Sequence, residues 1–211
     1  MTYLIFNETN TFCISLDKRW NKMNERFQKI NLKVTKWKAT LPTDLTDNFH
    51  DYLTPLQKAC SQSHLHVWRH IKMFNLDYAL IMEDDIFFDR EWRQKLEQFN
   101  EKNWDLILLN ASEPVQPLFT WTKVTEQYLS GAYIISRKGV DILLQLYHNN
   151  YASSDWMTSR LQLFNNSYSY FPWLVIQEGI ESTIGSCVDE DHKKVKRCLE
   201  EINYDVDQYI Q

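Results

Sequence analysis

Glycine is what this chain most conspicuously lacks, with 4 in 211 residues. Neither GxGxxG nor GxxxxGK[ST] occurs, so the two commonest glycine-built phosphate cradles are excluded. No apolar run approaches the roughly 20 residues of a membrane-spanning helix. The N-terminus also lacks the basic stretch, apolar stretch and cleavage site of a secretory signal. A cytoplasmic chain without a transmembrane segment is therefore expected, and the sequons at Asn7, Asn110 and Asn165 carry no meaning there. No two of the four cysteines stand at CxxC spacing, which argues against a zinc knuckle. Cys13 and Cys60 read as small core residues, and Cys187 and Cys198 would pair only in an oxidising compartment. Positive charge is not in excess either. A net charge of −5 argues against a nucleic-acid partner.

What is present is an ordinary globular balance, 44% hydrophobic and 24% charged. No linker, repeat or composition break divides residues 1–211, so they are read as one domain with an α/β core. Eight Trp and eleven Tyr supply mostly core and rim. Phe12–Leu16 reads as a short strand ending at Asp17, followed by a helix over Lys18–Ile30. Residues 32–39 suggest a second strand. Thr54-Pro55 opens a strong helix, with Thr54 as its cap and Pro55 at its first position. Leu56, Ala59, Cys60, Ser63, Val67 and Ile71 form its expected buried stripe. Strands are expected over Tyr78–Met82, Trp104–Leu109 and Ala132–Ser136, and extended chain over Tyr168–Ile176. Helices are expected over Trp92–Phe99, Lys138–Tyr147, Asp155–Leu163 and from Asp189 onward. Alternation of this kind predicts a largely parallel sheet with helices on its faces, and ligands beyond the strand C-ends.

The most informative stretch is Leu80-Ile81-Met82-Glu83-Asp84-Asp85, a greasy strand that runs into three carboxylates. Adjacent like charges beside buried strands repel and are costly to desolvate. A hard divalent cation such as Mg²⁺ or Mn²⁺ would relieve them. Otherwise the triplet is a solvated acidic turn. Side chains i and i+2 share a face in a strand. Glu83 and Asp85 are thus the expected metal pair, with Asp84 pointing away in a structural or nucleotide-contacting role. His64 is either a buried tie between helix and sheet or part of the site. Asp155 is either a helix cap or a general base. Asp17-Lys18-Arg19 is either a phosphate contact or a solvated helix start.

Four blocks, in order, resemble glycosyltransferase family 25. Ile14-Ser15-Leu16-Asp17-Lys18-Arg19 is similar to its "INLD-R" strand. Leu53-Thr54, Cys60 and Ser63-His64 are similar to its "LT…GC..SH" helix, and Leu80–Asp85 to its "LEDD" version of the DxD metal motif. Ala132–Gly139 with Leu143-Leu144 is similar to its "AYLIS..GA..LL" block. Asp155-Trp156, Pro172 and Gln177 form a weaker fifth match. The resemblance implies a GT-A fold, Rossmann-like and mostly parallel. It implies inverting transfer of a galactose or glucose from a UDP-sugar donor to a hydroxyl on a glycan or protein acceptor. Mn²⁺ or Mg²⁺ would be held by Glu83 and Asp85. Leu16, Asp17, Arg19, Ser63, His64 and Asp84 would border the nucleotide sugar, Asp155 would be the base, and Gln177 and Ser182 would line the site. Where the family often has "GEIGC", this chain has Leu56-Gln57-Lys58-Ala59-Cys60. An inactive GT-A module that binds a nucleotide sugar or a partner is the alternative reading. No oligomeric state follows from the sequence.

Overall fold

The computed structural model describes residues 4–147, 151–178 and 187–210. The chain opens with β1 (Thr11–Ser15), α1 (Asp17–Lys29), β2 (Thr35–Lys38) and α2 (Pro55–Met73). Next come β3 (Tyr78–Glu83), β4 (Ile86–Asp89), α3 (Trp92–Glu97), β5 (Leu106–Leu108), β6 (Trp121–Lys123) and β7 (Ala132–Ser136). It ends with α4 (Arg137–Leu146), α5 (Ser154–Gln162), β8 (Ser167–Tyr170), β9 (Val175–Gln177), α6 (Cys187–Glu201) and β10 (Tyr209–Ile210).

The central sheet has seven strands in the order β2-β1-β3-β7-β5-β8-β6. β1 is parallel to both β2 and β3, and β5 to β8. β7 is antiparallel to both β3 and β5, and β6 to β8. Five strands therefore run one way and β6 and β7 the other: the sheet is mostly parallel, as a Rossmann-like GT-A fold requires. The sequence did not suggest a second sheet, yet β4 leaves the main one and pairs antiparallel with β9 and β10. A short, mostly apolar run carries no record of its partner's direction, so the reversal of β7 was invisible beforehand.

The pleat sorts side chains between two cores. Phe12, Ile14, Ala79, Ile81, Tyr133 and Ile135 join one core with Leu65, Val67, Trp68 and Ile71 of α2, Val140 and Leu143 of α4, and Met157 and Leu161 of α5. Cys13, Leu80, Met82, Ala132 and Ile134 join the other with Met23 and Phe27 of α1 and Trp92 and Leu96 of α3. The result is three layers. Each fully buried aliphatic or aromatic side chain contributes on the order of 1.5–3 kcal/mol.

Local signals explain the helices. Thr54 and Gln57 form a reciprocal capping box at the start of α2, with Pro55 at its first position. The buried stripe of α2 is broader than expected and omits Leu56, which is 44% exposed at the first turn. Ser136 caps α4 by accepting from Gly139 N–H at 3.0 Å. Gly139 must be glycine for packing, because a Cβ there would lie 2.6 Å from the Asp105 carbonyl oxygen. Glycine scarcity is met elsewhere by asparagine. Asn31, Asn75, Asn165 and Asn203, just beyond the ends of α1, α2, α5 and α6, all take positive φ between 50° and 63°. Asparagine is the residue after glycine that best tolerates this left-handed turn at a helix end.

Candidate functional site

β3 ends at the acidic triplet, and the alternation of the strand decides where each carboxylate goes. Ala79 and Ile81 face α2, so Glu83 does too; Leu80 and Met82 face α1, so Asp84 does too. Asp84 Oδ2 accepts from Leu16 N–H at 2.7 Å, and Asp84 Oδ1 from Arg19 at 3.1 Å. Arg19 is thus an ion-pair partner within the protein. Asp84 staples the β1–α1 junction to the acidic turn.

Glu83 enters a polar cluster under α2. Its Oε1 accepts from His64 Nε2 at 3.0 Å and Ser130 Oγ at 3.1 Å, with the Cys60 thiol at 3.9 Å. His64 is fully buried. Its Nδ1 lies 2.8 Å from Tyr133 Oη, which also accepts from Trp68 Nε1–H at 2.9 Å. One assignment satisfies every donor: Trp68 to Tyr133, Tyr133 to His64 Nδ1, and His64 Nε2–H to Glu83. Burial pushes the Tyr133 phenol well above its ordinary value, so it stays a donor. His64 accordingly ties α2 to both β3 and β7. Ser130 Oγ also lies 2.9 Å from Ser154 Oγ, and Ser154 N–H donates to Ser61 Oγ at 3.0 Å. This brings the start of α5 into the site.

Asp85, half-buried, follows two residues after Glu83 in the same turn. Gln177 Nε2 donates to Glu83 Oε2 at 3.4 Å and to Asp85 Oδ1 at 3.3 Å. Its amide therefore sits between the two carboxylates where a cation would. Asn110 sets that amide's direction, donating to Gln177 Oε1 at 3.4 Å while its own Oδ1 accepts from Ala132 N–H at 2.8 Å. Asn110 is 3% exposed, which excludes it as a glycosylation site. Gly131 makes room: a Cβ there would lie 2.7 Å from Gln177 Cδ. The far side is clamped by α1, whose Lys22 and Arg26 both pair with Glu178, and Glu178 N–H donates to the Asp85 carbonyl at 2.6 Å. Burial, and then the Glu83 charge, raise the Asp85 carboxyl from its ordinary value to about 7. Oxygen donors that converge with excess negative charge suit a hard divalent ion.

The remaining expected residues divide. Asp155 is the second residue of α5 and does not cap it; Ser153 holds the cap position. Its Oδ1 accepts from Trp156 N–H at 2.9 Å, and its charge reaches Cys60. Asp17 is exposed and paired with Lys36 at 2.6 Å, a hydrogen bond that holds its carboxyl below the ordinary value. Its side chain is therefore turned to β2. Ser63 is fully buried, accepting from Thr40 N–H and donating to the Ala59 carbonyl, both at 2.9 Å. Ser182 lies outside the described residues, and so does the Cys187 side chain; Cys198 is a free thiol. Cys60 is a partly buried member of the site and not core. The sequence reading missed Ser130, Gly131, Tyr133 and Asn110 as site residues. One signal was available: Gly131, one of so few glycines, directly precedes a buried strand.

A mostly parallel Rossmann-like sheet with an acidic turn at the C-end of a central strand defines a GT-A-type protein. The particular family follows from comparison. The family model described as Glycosyltransferase family 25 (LPS biosynthesis protein) matches residues 8–130, more than half of the chain, and the chain belongs to that family. A "Glycosyltransferase 25 family member" of Aedes aegypti is 22% identical over 196 residues, covering 71% of this chain and 32% of the relative. "Procollagen galactosyltransferase 1-B" of Xenopus laevis is 27% identical over 106 residues, 44% of this chain and 17% of the relative. Procollagen galactosyltransferase 1-A of the same organism is 28% identical over 116 residues, 48% and 19% respectively. The chain thus spans a third or less of the length of these relatives. No helix among the described residues is long and apolar enough to cross a membrane.

Proposed function

We propose that this chain is a glycosyltransferase domain spanning residues 1–211. It moves a galactose or glucose from a UDP-sugar, with inversion, to a hydroxyl on a glycan or protein. The observation that carries this reading is the convergence of Glu83 and Asp85 on one Gln177 amide, with the Asp85 carboxyl raised to about 7. Glu83 Oε2 and Asp85 would hold Mn²⁺ or Mg²⁺. When bound, that ion supplies positive charge to the departing diphosphate.

The chain's own residues supply the rest. Leu16 and Arg19 border the turn from the β1–α1 side, where the nucleotide would lie, and Asp84 keeps that junction in register. Asp155 is the proposed base. Its Oδ1 is engaged by Trp156 N–H, which leaves Oδ2 to accept the acceptor's proton. The hydroxyl oxygen bonds to the anomeric carbon while the bond from that carbon to the diphosphate oxygen breaks, and UDP leaves with the electron pair. The loop over residues 113–127 borders the acceptor side. It is fixed by Gln162, which accepts from Gln127 N–H and donates to the Gln127 carbonyl, both at 2.8 Å.

The departure at Gln57 does not favour an inactive module. Gln57 works in the capping box of α2, where its Oε1 accepts from Thr54 N–H at 2.9 Å. Gln and Glu serve equally at that position. Ala59 is buried against the core and fits there. UDP-galactose and UDP-glucose hydrolysis, measured with Mn²⁺ and with EDTA, tests the proposal. Metal-dependent release of UDP that is lost in Asp85→Ala is expected. Absence of turnover with every common nucleotide sugar, together with metal-independent binding, would falsify it in favour of a non-catalytic module.

A further inference from the structure

The cluster beneath the acidic turn has the composition of a different kind of metal site. Cys60 and His64 are four residues apart on α2 and so share one face. Cys60 Sγ, a ring nitrogen of His64 and a Glu83 oxygen all lie within 4.8 Å of one another. Glu83 Oε1 is 3.0 Å from His64 Nε2 and 3.9 Å from Cys60 Sγ. Three ligand atoms around one tetrahedral ion, at bond lengths of about 2.0–2.3 Å, stand apart by similar distances. The ring is already aimed. Tyr133 Oη sits on Nδ1 at 2.8 Å and is itself held by Trp68 Nε1–H. An outer partner of that kind, on the nitrogen that does not ligate, is what a metal-bound histidine ordinarily has.

We propose that Cys60, His64 and Glu83 form a binding site for a borderline-soft divalent ion, Zn²⁺ by preference, with the fourth position open. Thiolate and imidazole select Zn²⁺ over Mg²⁺ or Mn²⁺, whereas Asp85 and Glu83 Oε2 offer oxygen alone. On binding, the Cys60 thiol loses its proton to solvent and Sγ bonds to the ion. The His64 proton moves from Nε2 to Nδ1 and donates to Tyr133 Oη, whose own O–H gives up its bond to Nδ1 and turns aside, and Nε2 gives its lone pair to the ion. One thiolate and one carboxylate around Zn²⁺ make the cluster neutral, so burial costs it little. Glu83 belongs to both sites, one through each carboxylate oxygen, so Zn²⁺ would fix the carboxylate that also faces Asp85. This inference goes beyond the transferase reading and does not depend on it.

Titration of the full chain, stripped with EDTA, with Co²⁺ as a coloured substitute for Zn²⁺ tests it without any turnover. One equivalent is expected to give a thiolate-to-cobalt charge-transfer band and tetrahedral d–d bands, which Zn²⁺ then bleaches. Cys60→Ser should lose the charge-transfer band. Tyr133→Phe should keep the band and bind about tenfold more weakly. Circular dichroism confirms that each variant is folded, and the wild-type titration stands alone if one is not. No charge-transfer band in the wild type, or an undiminished band in folded Cys60→Ser, overturns the proposal and leaves a hydrogen-bonded cluster only. Loss of UDP-sugar hydrolysis with the cobalt bands intact would count against the transferase reading and not against this one.

Discussion

Asp85 precedes one short strand and Asp89 ends it, four residues on, and the two meet opposite fates. Asp89 is fully buried at the end of β4, where Lys95 reaches its Oδ2 at 2.8 Å and Tyr204 donates to the same oxygen. Its Oδ1 accepts from Glu91 N–H at 2.8 Å. Lys95 is 4% exposed and also donates to Tyr204 Oη at 2.7 Å. Burial and the Asp89 charge hold the Tyr204 phenol well above its ordinary value, so it remains a donor. Asp85 is less buried, yet its nearest side-chain partner is a neutral amide, and two more carboxylates precede it. Burial alone does not mark a functional carboxylate; incomplete compensation does. The Asp89 carboxylate is matched by a buried cation, whereas Asp85 meets a neutral amide, which is the contrast that the proposed metal site at Asp85 rests on.

The largest effect should come from breaking the compensated site. Lys95→Met strands a buried carboxylate and is expected to cost about 3–5 kcal/mol in urea unfolding. Lys95→Met with Asp89→Leu should recover most of that loss. A cost below about 1 kcal/mol for the single variant would mean that the pair is solvated and the contrast is false. At the other end of the strand, Asp85→Asn should reduce UDP-sugar hydrolysis by about a hundredfold or more. It should leave the melting temperature at pH 8 unchanged or higher, since repulsion with Glu83 is removed. A drop in both would make Asp85 a scaffold like Asp89.

Gly131→Ala is expected to push Gln177 from between the two carboxylates. The overpacking should cost about 1–3 kcal/mol and weaken the response of the melting temperature to Mn²⁺. An unchanged metal response would show that the amide does not organise the pair. A gentler probe is pH. The Asp85 carboxyl rises from an ordinary 3.8 to about 7 in the folded chain. The folded state then binds more protons than the unfolded state between those values, and stability from this group falls as pH rises through them. It is fully present below about 4 and lost above about 7. The melting temperature of Asp85→Asn, relative to the metal-free wild type, should therefore climb from pH 4 to 7 and then level off. A flat difference would show that the carboxyl titrates normally. Smallest of all is Asp17→Asn. An exposed ion pair to Lys36 predicts a change in donor affinity under about twofold, and a tenfold loss would put Asp17 back among the ligand contacts.

Much of this was legible in the sequence because it depends on local pattern. Period-two alternation along Ala79 to Asp85 was enough to separate Asp84 from Glu83. Thr54-Pro55 announced α2, and the ordered blocks announced the family. What stayed hidden was set by distant partners. Nothing near Ala132–Ser136 says that β7 runs against its neighbours, and nothing near Ile86 says that β4 joins β9 and β10. The cluster around Glu83 draws on residues 60, 64, 130 and 177, so it exists only after the fold has brought four segments together. Asp17 lies two residues past the C-end of β1, an address the sequence marks, but the pairing of its side chain with Lys36 on β2 is again a contact between separate segments.

The smallest strand carries a consequence in time. β10 pairs with β4 at Asp89 and Phe88, and β4 pairs with β9 at Ile86 and Gln177, so Tyr209–Ile210 buttresses the turn that holds Asp85. On the ribosome the triplet emerges more than a hundred residues before that buttress. During that interval the edge of β4 that β10 will cover has no strand to pair with. Segments that fold from the N-terminal side first can assemble the layers around β1, β3 and α2 without it. The acidic turn is thus made well before the strand that holds it still.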